Sequence, residues 1–117
     1  MTRVKRGVTA RRHHKKILAQ TAGHSGSRHR LFKTANESLM HALAYQYRDR
    51  RNRKRDMHRL WIVRINAAAR EHGLSYSRFV AGLSAHGIEV NRKMLSELAV
   101  NNGPEFAALV EMAKAPA

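Results

Sequence analysis

The side chains most capable of chemistry in this sequence form a cationic run. Six of the eight residues from Arg48 to Arg55 are Arg or Lys, and apolar residues follow from Leu60 to Val63. Like charges at helical spacing repel one another, so a surface this dense in cations needs an anionic partner. Each phosphate contact with a nucleic acid releases condensed counterions and thereby favours association. The run therefore predicts that the chain binds a polyanion.

On a helical wheel, the cationic run separates its acids from its bases. Asp49, Asn52 and Asp56 fall on one narrow stripe, whereas Arg and Lys cover most of the remaining circumference. The acids would face away from phosphate, and Asp49 would support Arg53 four residues later. A solvated charged helix or a disordered linker is the simpler interpretation of a charge run, and the density of cations disfavours it here.

Two other groups of residues could carry chemistry, and the sequence disfavours both. His13 and His14 are adjacent, so their side chains would point apart on a helix, and no third metal ligand is evident. His72, Ser75 and Ser77 could be combined with distant acids as a hydrolase set, but they look like a helix terminus and cap. No nucleophile motif or glycine-rich nucleotide loop accompanies them. We expect no metal, cofactor, small-molecule substrate or enzymatic activity.

Charge is unevenly distributed along the 117 residues. Residues 1–59 hold 17 Lys and Arg against 3 acids, and residues 60–117 hold 6 against 5. This asymmetry predicts a basic extension over residues 1–59 and a compact helical domain over residues 60–117. The chain has no cysteine, which excludes a disulfide framework and fits a cytoplasmic location.

The N-terminal sequence does not have the pattern of a secretory signal, and no apolar run approaches the roughly 20 residues that span a bilayer. Organellar presequences are also basic, but here the basic residues continue to Arg59, which is long for a removable leader. A membrane-active cationic peptide is disfavoured because residues 48–59 have no continuous apolar face. We therefore expect no membrane partner.

Helical periodicity dominates the first half of the chain. A basic tail from Thr2 to Gly7 leads into a short cationic helix from about Val8 to Gln20, and a turn follows from Gly23 to Arg30. One long helix is predicted from about Thr34 to about His72, because the apolar register survives the charge run. Thr34 and Glu37 have the spacing of a capping box at its start. The middle of this helix has no core beside it and would be fully ordered only against RNA or DNA.

Two tyrosines precede the cationic run. Tyr47 shares the apolar stripe of the long helix, which favours a packing role over base stacking. Tyr45 lies on another face, where stacking on an unpaired base and packing are both open.

The second half of the chain predicts a four-helix domain that begins with the end of the long helix. Ser75 would cap a helix through about Ala85, Asn91 would cap the next, and Gly103-Pro104 would open the last. No period-two run of β-branched residues indicates a sheet. The expected fold is all-α: a basic N-terminal helical extension with one long helix leading into a small globular four-helix C-terminal domain. Its expected core comprises Trp61, Ile65, Phe79, Leu83, Leu95, Leu98, Phe106 and Leu109, with Met94 also inward.

These motifs together resemble the bacterial large-subunit ribosomal protein twenty family essentially from end to end. The resemblance lies in residues 3–8 (RVKRGV), 14–18 (HKKIL), 47–55 (YRDRRNRKR), 60–70 (LWIVRINAAAR), 75–79 (SYSRF) and 91–93 (NRK). It implies a structural protein that binds large-subunit ribosomal RNA, contacts neighbouring ribosomal proteins and acts early in subunit assembly. In some bacteria it implies repression of the protein's own messenger RNA. The clearest departure is His24-Ser25, where the family usually carries bulkier aromatic or basic side chains.

The predicted RNA-binding residues fall in both parts of the chain. Those of the extension are Arg3, Lys5, Arg6, Arg11, Arg12, His14, Lys15, Lys16, Arg28, Arg30, Arg48, Arg50, Arg51, Arg53, Lys54, Arg55 and Arg59. Those of the domain are Arg64, Asn66, Ser75, Tyr76, Arg78, Arg92 and Lys93. The alternative function is that of a nucleoid-type DNA-binding protein, which the charge alone supports equally well because phosphate contacts carry little sequence information.

Overall fold

Every element of the chain is helical in the computed structural model, which describes residues 3–117. The all-α prediction is therefore confirmed for those residues, and Thr2 of the predicted basic tail lies outside them. The elements are α1 (Gly7–Gln20), a 3-10 turn (Gly26–His29), α2 (Phe32–Glu71), α3 (Tyr76–Ala85), α4 (Arg92–Asn101) and α5 (Gly103–Lys114). The chain forms two units, an N-terminal unit that ends at Arg51 and a C-terminal unit that begins at Asn52.

The N-terminal unit has a small apolar cluster. Ile17 of α1 is buried with Ala35 and Leu39 of α2, and Leu18 and Phe32 pack against them. The last turn of α1 is closed by Thr21, whose buried hydroxyl donates to the carbonyl oxygens of residues 17 and 18 at 3.3 and 3.2 Å. Gly23 then adopts a φ of 87°, a conformation that glycine reaches without the penalty of a Cβ.

Helix α2 begins at Phe32, two residues before the predicted start, and the predicted capping box is wrong. The Thr34 hydroxyl donates to the carbonyl oxygens of Ser27 and Leu31, both at 3.1 Å. Thr34 therefore joins α2 to the preceding turn, and it does not accept a hydrogen bond from the amide of Glu37. Glu37 lies beyond the first turn of α2, which contains no acid.

The C-terminal unit has the larger core, formed by the end of α2 together with α3, α4 and α5. Its buried residues are Ile65, Ala69, Phe79, Leu83, Leu95, Phe106 and Val110. The Phe79 and Phe106 rings lie 5.1 Å apart between centroids, within the usual range of aromatic pairs.

Some residues expected in this core lie at its margin or outside it. Leu98 and Leu109 are partly buried and pack against the cluster. Trp61 is half-buried and outside the cluster, and Met94 is 55% exposed, so the prediction that Met94 points inward is wrong.

The predicted helix caps of the C-terminal unit are confirmed. Ser75 Oγ accepts a hydrogen bond from the Arg78 amide, and Asn91 Oδ1 accepts one from the Met94 amide at 2.9 Å. Pro104 lies in the first turn of α5, where its missing amide proton costs no hydrogen bond. Helices α3 and α5 approach closely at Gly82, where an added Cβ would lie 2.8 Å from the Cβ of Ala113.

Candidate nucleic-acid interface

In the basic segment of α2, residues 48–59, some cations lie beside an acid and others have no acidic partner. Arg48 donates from Nε to Asp49 Oδ1 at 2.9 Å, and Arg59 lies 3.9 Å from Asp56. The hydrogen bond that Arg48 donates to Asp49, and then the negative charge of Asp49, raise the pKa of Arg48 above its ordinary value. The predicted support of Arg53 by Asp49 is not formed, because Asp49 pairs with its neighbour Arg48.

Four cations of the basic segment remain available for phosphate. Arg50, Arg53, Lys54 and Arg55 are exposed, and none of them takes part in the three ion pairs found among residues 3–117. Unpaired guanidinium and ammonium groups on an exposed helix can bind phosphate without first breaking an internal contact. They form the most strongly cationic surface of α2.

Both tyrosines before the run lie beneath guanidinium groups. Arg51 lies 3.6 Å from the Tyr47 ring centroid and donates from Nη1 to the Tyr47 carbonyl oxygen at 3.2 Å. Arg48 lies 4.6 Å from the Tyr45 ring centroid. Tyr47 is 57% exposed, so the prediction that it packs in an apolar stripe is wrong. Each pair forms a cation–π surface on which an unpaired base could also stack.

The remaining predicted residues of the extension lie on the surface of the N-terminal unit. All of those before residue 31 are exposed: Arg3, Lys5, Arg6, Arg11, Arg12, His14, Lys15, Lys16, Arg28 and Arg30. His14 has a second contact, because its ring stacks on Phe32 at 3.9 Å between centroids, and the His13 ring meets Phe32 edge-on at 5.6 Å. The paired histidines therefore join α1 to the start of α2.

The turn from Gly23 to Arg30 is held on α2 by its histidines. His24 Nδ1 lies 2.7 Å from Ser38 Oγ, and His29 Nδ1 lies 2.8 Å from the His24 carbonyl oxygen. The His24-Ser25 departure from the family pattern thus places a side chain that fastens the turn to α2. This contact fixes where the exposed Arg28 is presented.

In the C-terminal unit, hydrogen bonds bring five of the seven predicted residues together at the start of α3. Asn66 Oδ1 accepts from the Tyr76 amide at 3.3 Å, and Arg92 Nε donates to Tyr76 Oη at 3.1 Å. Ser75 Oγ accepts from the Arg78 amide at 3.4 Å. We call these five residues the α3 corner. Arg64 and Lys93 are exposed and lie outside this set of hydrogen bonds.

Arg70 contacts the α3 corner, and it was not among the residues predicted from the sequence. Arg70 Nε donates to Asn66 Oδ1 at 3.3 Å, so Asn66 holds both a side chain of α2 and the backbone of α3. The spacing of four residues between Asn66 and Arg70 was the available signal. The first turn of α3 contains no acid, so the positive end of its dipole and the nearby arginines favour an anion.

Fold and surface together define an all-helical, strongly basic protein, and a surface of this charge favours a polyanionic partner. Among residues 3–117, no helix is both long enough and apolar enough to cross a membrane. In the same residues, no group of three or more His, Asp or Glu side chains is arranged to hold a metal ion.

Comparison with known proteins identifies the family. The family model for ribosomal protein L20 matches residues 3–109. The chain is 59% identical to large ribosomal subunit protein bL20 of Roseiflexus sp. (strain RS-1) over 97% of both chains. It is 55% identical to the bL20 protein of Finegoldia magna over 97% of both, and 59% identical to that of Brevibacillus brevis over 97% of this chain and 96% of the relative.

The chain therefore belongs to the ribosomal protein L20 family. Members of this family are structural components of the ribosome and are not enzymes, and membership implies association with the large subunit. As a ribosomal protein it acts in the cytoplasm.

Proposed function

We propose that this protein binds large-subunit ribosomal RNA directly and supports early assembly of the subunit. The observation that carries the proposal is the unpaired state of Arg50, Arg53, Lys54 and Arg55 on an exposed helix that has no apolar partner there. Such a surface gains free energy from counterion release when it meets phosphate. Its cost in the free protein is mutual repulsion, which a bound polyanion removes.

The proposal divides the work between the two parts predicted from the sequence. Residues 1–59 would supply affinity through phosphate contacts, and residues 60–117 would supply selectivity. Selectivity requires side chains held in fixed geometry before RNA arrives. The α3 corner meets this requirement because Asn66, Tyr76 and Arg92 are joined by hydrogen bonds within the domain.

The same selective surface would also account for repression of the protein's own messenger RNA. A messenger segment that presents the same folded shape as the ribosomal site would compete for the α3 corner. The neighbouring ribosomal proteins would contact surfaces that RNA leaves uncovered. We expect that adding large-subunit ribosomal RNA displaces a bound leader transcript; simultaneous binding of both RNAs would argue against a shared surface.

The test of direct binding is the salt dependence of affinity for a large-subunit ribosomal RNA fragment. Replacing Arg50, Arg53, Lys54 and Arg55 by Gln removes the four unpaired cations, so the slope of log affinity against log salt should become shallower by about 3.6 at about 0.9 per phosphate contact. Thermal unfolding of the C-terminal unit should change little. An unchanged slope, or an unfolding shift as large as the affinity loss, contradicts the proposal.

A matched pair of single variants tests whether RNA affinity depends on where a positive charge lies or only on the net charge of the protein. Lys54 is unpaired on α2, whereas Lys114 donates to Glu111 Oε1 at 3.1 Å at the end of α5. Lys54→Gln should weaken binding and Lys114→Gln should not, although both remove one positive charge. Equal effects would show that net charge alone governs binding.

Competition with duplex DNA decides between this proposal and a DNA-binding function. Residues 60–117 alone should fold and should prefer the ribosomal RNA fragment over unrelated structured RNA and duplex DNA at the same salt. Equal affinity for all three would move selectivity out of the domain, and a preference of the whole chain for DNA would favour the nucleoid-type alternative. Failure of the fragment to fold would overturn the division at residue 59.

A further inference from the structure

A cleft in the N-terminal unit lies where the Gly23–Arg30 turn meets α2. It has a volume of about 500 Å³, within the range of ligand clefts at roughly 300 to 1,000 Å³. One face of α2 supplies most of its lining, and Arg28 of the turn supplies the rest. The lining residues are Arg28, Thr34, Glu37, Ser38, His41, Ala42 and Tyr45.

The cleft is held open by hydrogen bonds that use its own lining. Ser38 bonds to His24 at 2.7 Å, and Thr34 donates to the Ser27 carbonyl oxygen at 3.1 Å, so the turn is fastened to α2 at two points. Ala42 adds little volume to the lining, which leaves space above it. The cleft thus lies between α2 and a turn that is fastened to it, and the exposed side chains of Arg28, Glu37, His41 and Tyr45 complete its lining.

Glu37 is the unexpected residue of this cleft. Only 2 acids accompany 13 Lys and Arg in residues 1–51, and the other acid, Asp49, is paired with Arg48. Glu37 takes part in none of the ion pairs among residues 3–117. It lies beyond the first turn of α2, where stabilisation by the helix dipole has faded. A carboxylate at this position repels phosphate and therefore fits a ligand group that donates hydrogen bonds.

Two aromatic rings line the same cleft, that of His41 one helical turn after Glu37 and that of Tyr45 two turns after it. Tyr45 lines the cleft and is 49% exposed, and the His41 ring lies 5.8 Å from the Tyr45 ring between centroids. Unpaired nucleic-acid bases bind proteins by stacking on such rings while polar side chains read their Watson–Crick edges. Arg28 also lines the cleft, and its positive charge favours a phosphate group there.

We propose that this cleft binds one unpaired guanosine of the RNA, with the two oxygens of the Glu37 carboxylate accepting from guanine N1–H and N2–H. Guanine is the only common base whose Watson–Crick edge carries two adjacent donors. Adenine and cytosine place an acceptor beside their amino donor, and uracil flanks its single donor with two acceptors. Each of these would oppose an acceptor to one carboxylate oxygen. The inference rests on the proposed RNA-binding function and adds a base-specific contact within the N-terminal unit.

The test titrates the full-length chain with pentaribonucleotides that differ only at the central base. The sequences are UUGUU, UUAUU, UUCUU, UUUUU and UUIUU, in which inosine lacks the N2 amino group. A good bidentate pair favours the matching base over the wrong one by roughly tenfold or more, so UUGUU should bind roughly tenfold more tightly than UUAUU. UUIUU should fall between them. Backbone amide shifts of Thr34, Ala42 and Tyr45 should follow the guanosine titration.

Variants connect the preference to the carboxylate. Glu37→Gln replaces one acceptor by a donor and should abolish the preference for UUGUU while leaving UUUUU binding equal or tighter. Glu97→Gln, which removes the same charge from an exposed site on α4, should retain the preference. A preference that survives Glu37→Gln would overturn the proposal. The inosine comparison uses the unaltered chain and stands whether or not a variant folds.

Binding to the large-subunit ribosomal RNA fragment is measured in parallel. If the unaltered chain binds that fragment but binds the five oligonucleotides within twofold of one another, the guanosine site is overturned and direct RNA binding stands. If it binds neither the fragment nor the oligonucleotides, the proposed function fails together with the site.

Discussion

The two units of this molecule are stabilised by different means. In the N-terminal unit three buried apolar residues, Ile17, Ala35 and Leu39, share residues 1–51 with 13 Lys and Arg. In the C-terminal unit seven buried apolar residues share residues 52–117 with 10 Lys and Arg and 6 acids. The first unit therefore has little apolar burial to oppose its charge repulsion, whereas the second has a core that can define a surface before any partner binds. A ribosomal protein can thus combine a unit with little apolar core and many cations with one that has a larger core and more nearly balanced charge.

The largest expected effect is the loss of a core aromatic in the C-terminal unit. Phe79 is fully buried against Phe106, so Phe79→Ala should cost about 3–5 kcal/mol of unfolding free energy. Leu39→Ala in the N-terminal unit should cost about 2 kcal/mol, the low end for such truncations, because few neighbours surround the site. Denaturant unfolding of both variants measures the difference. Equal losses would remove the contrast between the units, and Val100→Ala, at an exposed position, serves as the control.

The second effect tests how closely the C-terminal core is packed. Gly82→Ala would place a Cβ against the backbone and side chain of Ala113 on α5, and overpacking of this kind costs about 1–3 kcal/mol. Gly103→Ala is the matched control, because nothing lies within 4 Å of the Cβ it would add. Thermal unfolding should separate the two variants. If the two variants have the same unfolding temperature, α3 and α5 can move apart without a loss of stability.

The helix caps and the core contacts of the C-terminal unit differ in how well the sequence predicts them. The caps at Ser75 and Asn91 were predictable because each depends on a hydrogen bond to an amide three residues away. The contact of Gly82 with Ala113 was not, since a glycine inside a helix does not indicate which distant residue approaches it. Met94 was misplaced for a related reason: periodicity predicts an apolar face but does not show how much of it a partner covers.

The candidate interface was predictable to a similar extent. The cationic residues follow directly from residue type, and the sequence also placed them on α2. The spacing of four residues predicted that Asp49 would pair with Arg53, but several cations lie near Asp49 and it pairs with Arg48 instead. The capping box failed because Thr34 bonds to Ser27, a contact made by the fold of the turn. Glu37 therefore does not act in a capping box, and its carboxylate belongs to the cleft described above.

The third effect is the removal of one helix cap in the C-terminal unit. Ser75→Ala deletes the acceptor for the Arg78 amide and should cost about 1 kcal/mol. Ser77→Ala, at an exposed position in the first turn of the same helix, should cost less. Thermal unfolding measures both. If the α3 corner also positions RNA contacts, Ser75→Ala should weaken RNA binding beyond its effect on stability, and Ser77→Ala should not.

The smallest effect concerns a single ion pair in the N-terminal unit, and it should act on binding alone. Asp49→Asn releases Arg48 from an exposed pair, and such pairs contribute little to stability, so unfolding should not change measurably. RNA affinity should rise, and the slope of log affinity against log salt should steepen by about 0.9 if Arg48 gains one phosphate contact. Asp49 raises the pKa of Arg48, but arginine stays protonated in either variant, so the gain should not depend on pH near neutrality.

Asp56→Asn is the matched control for this prediction, because it also removes one acid from the basic segment. Arg59 lies 3.9 Å from Asp56, beyond hydrogen-bond distance, so its guanidinium is already close to free. The control should raise affinity through net charge while steepening the slope less than Asp49→Asn does. If Asp49→Asn instead lowers the unfolding temperature, the pair with Arg48 stabilises the N-terminal unit. Ion pairs would then stabilise the fold of the N-terminal unit as well as affecting RNA binding. The two units would differ less in how they are stabilised.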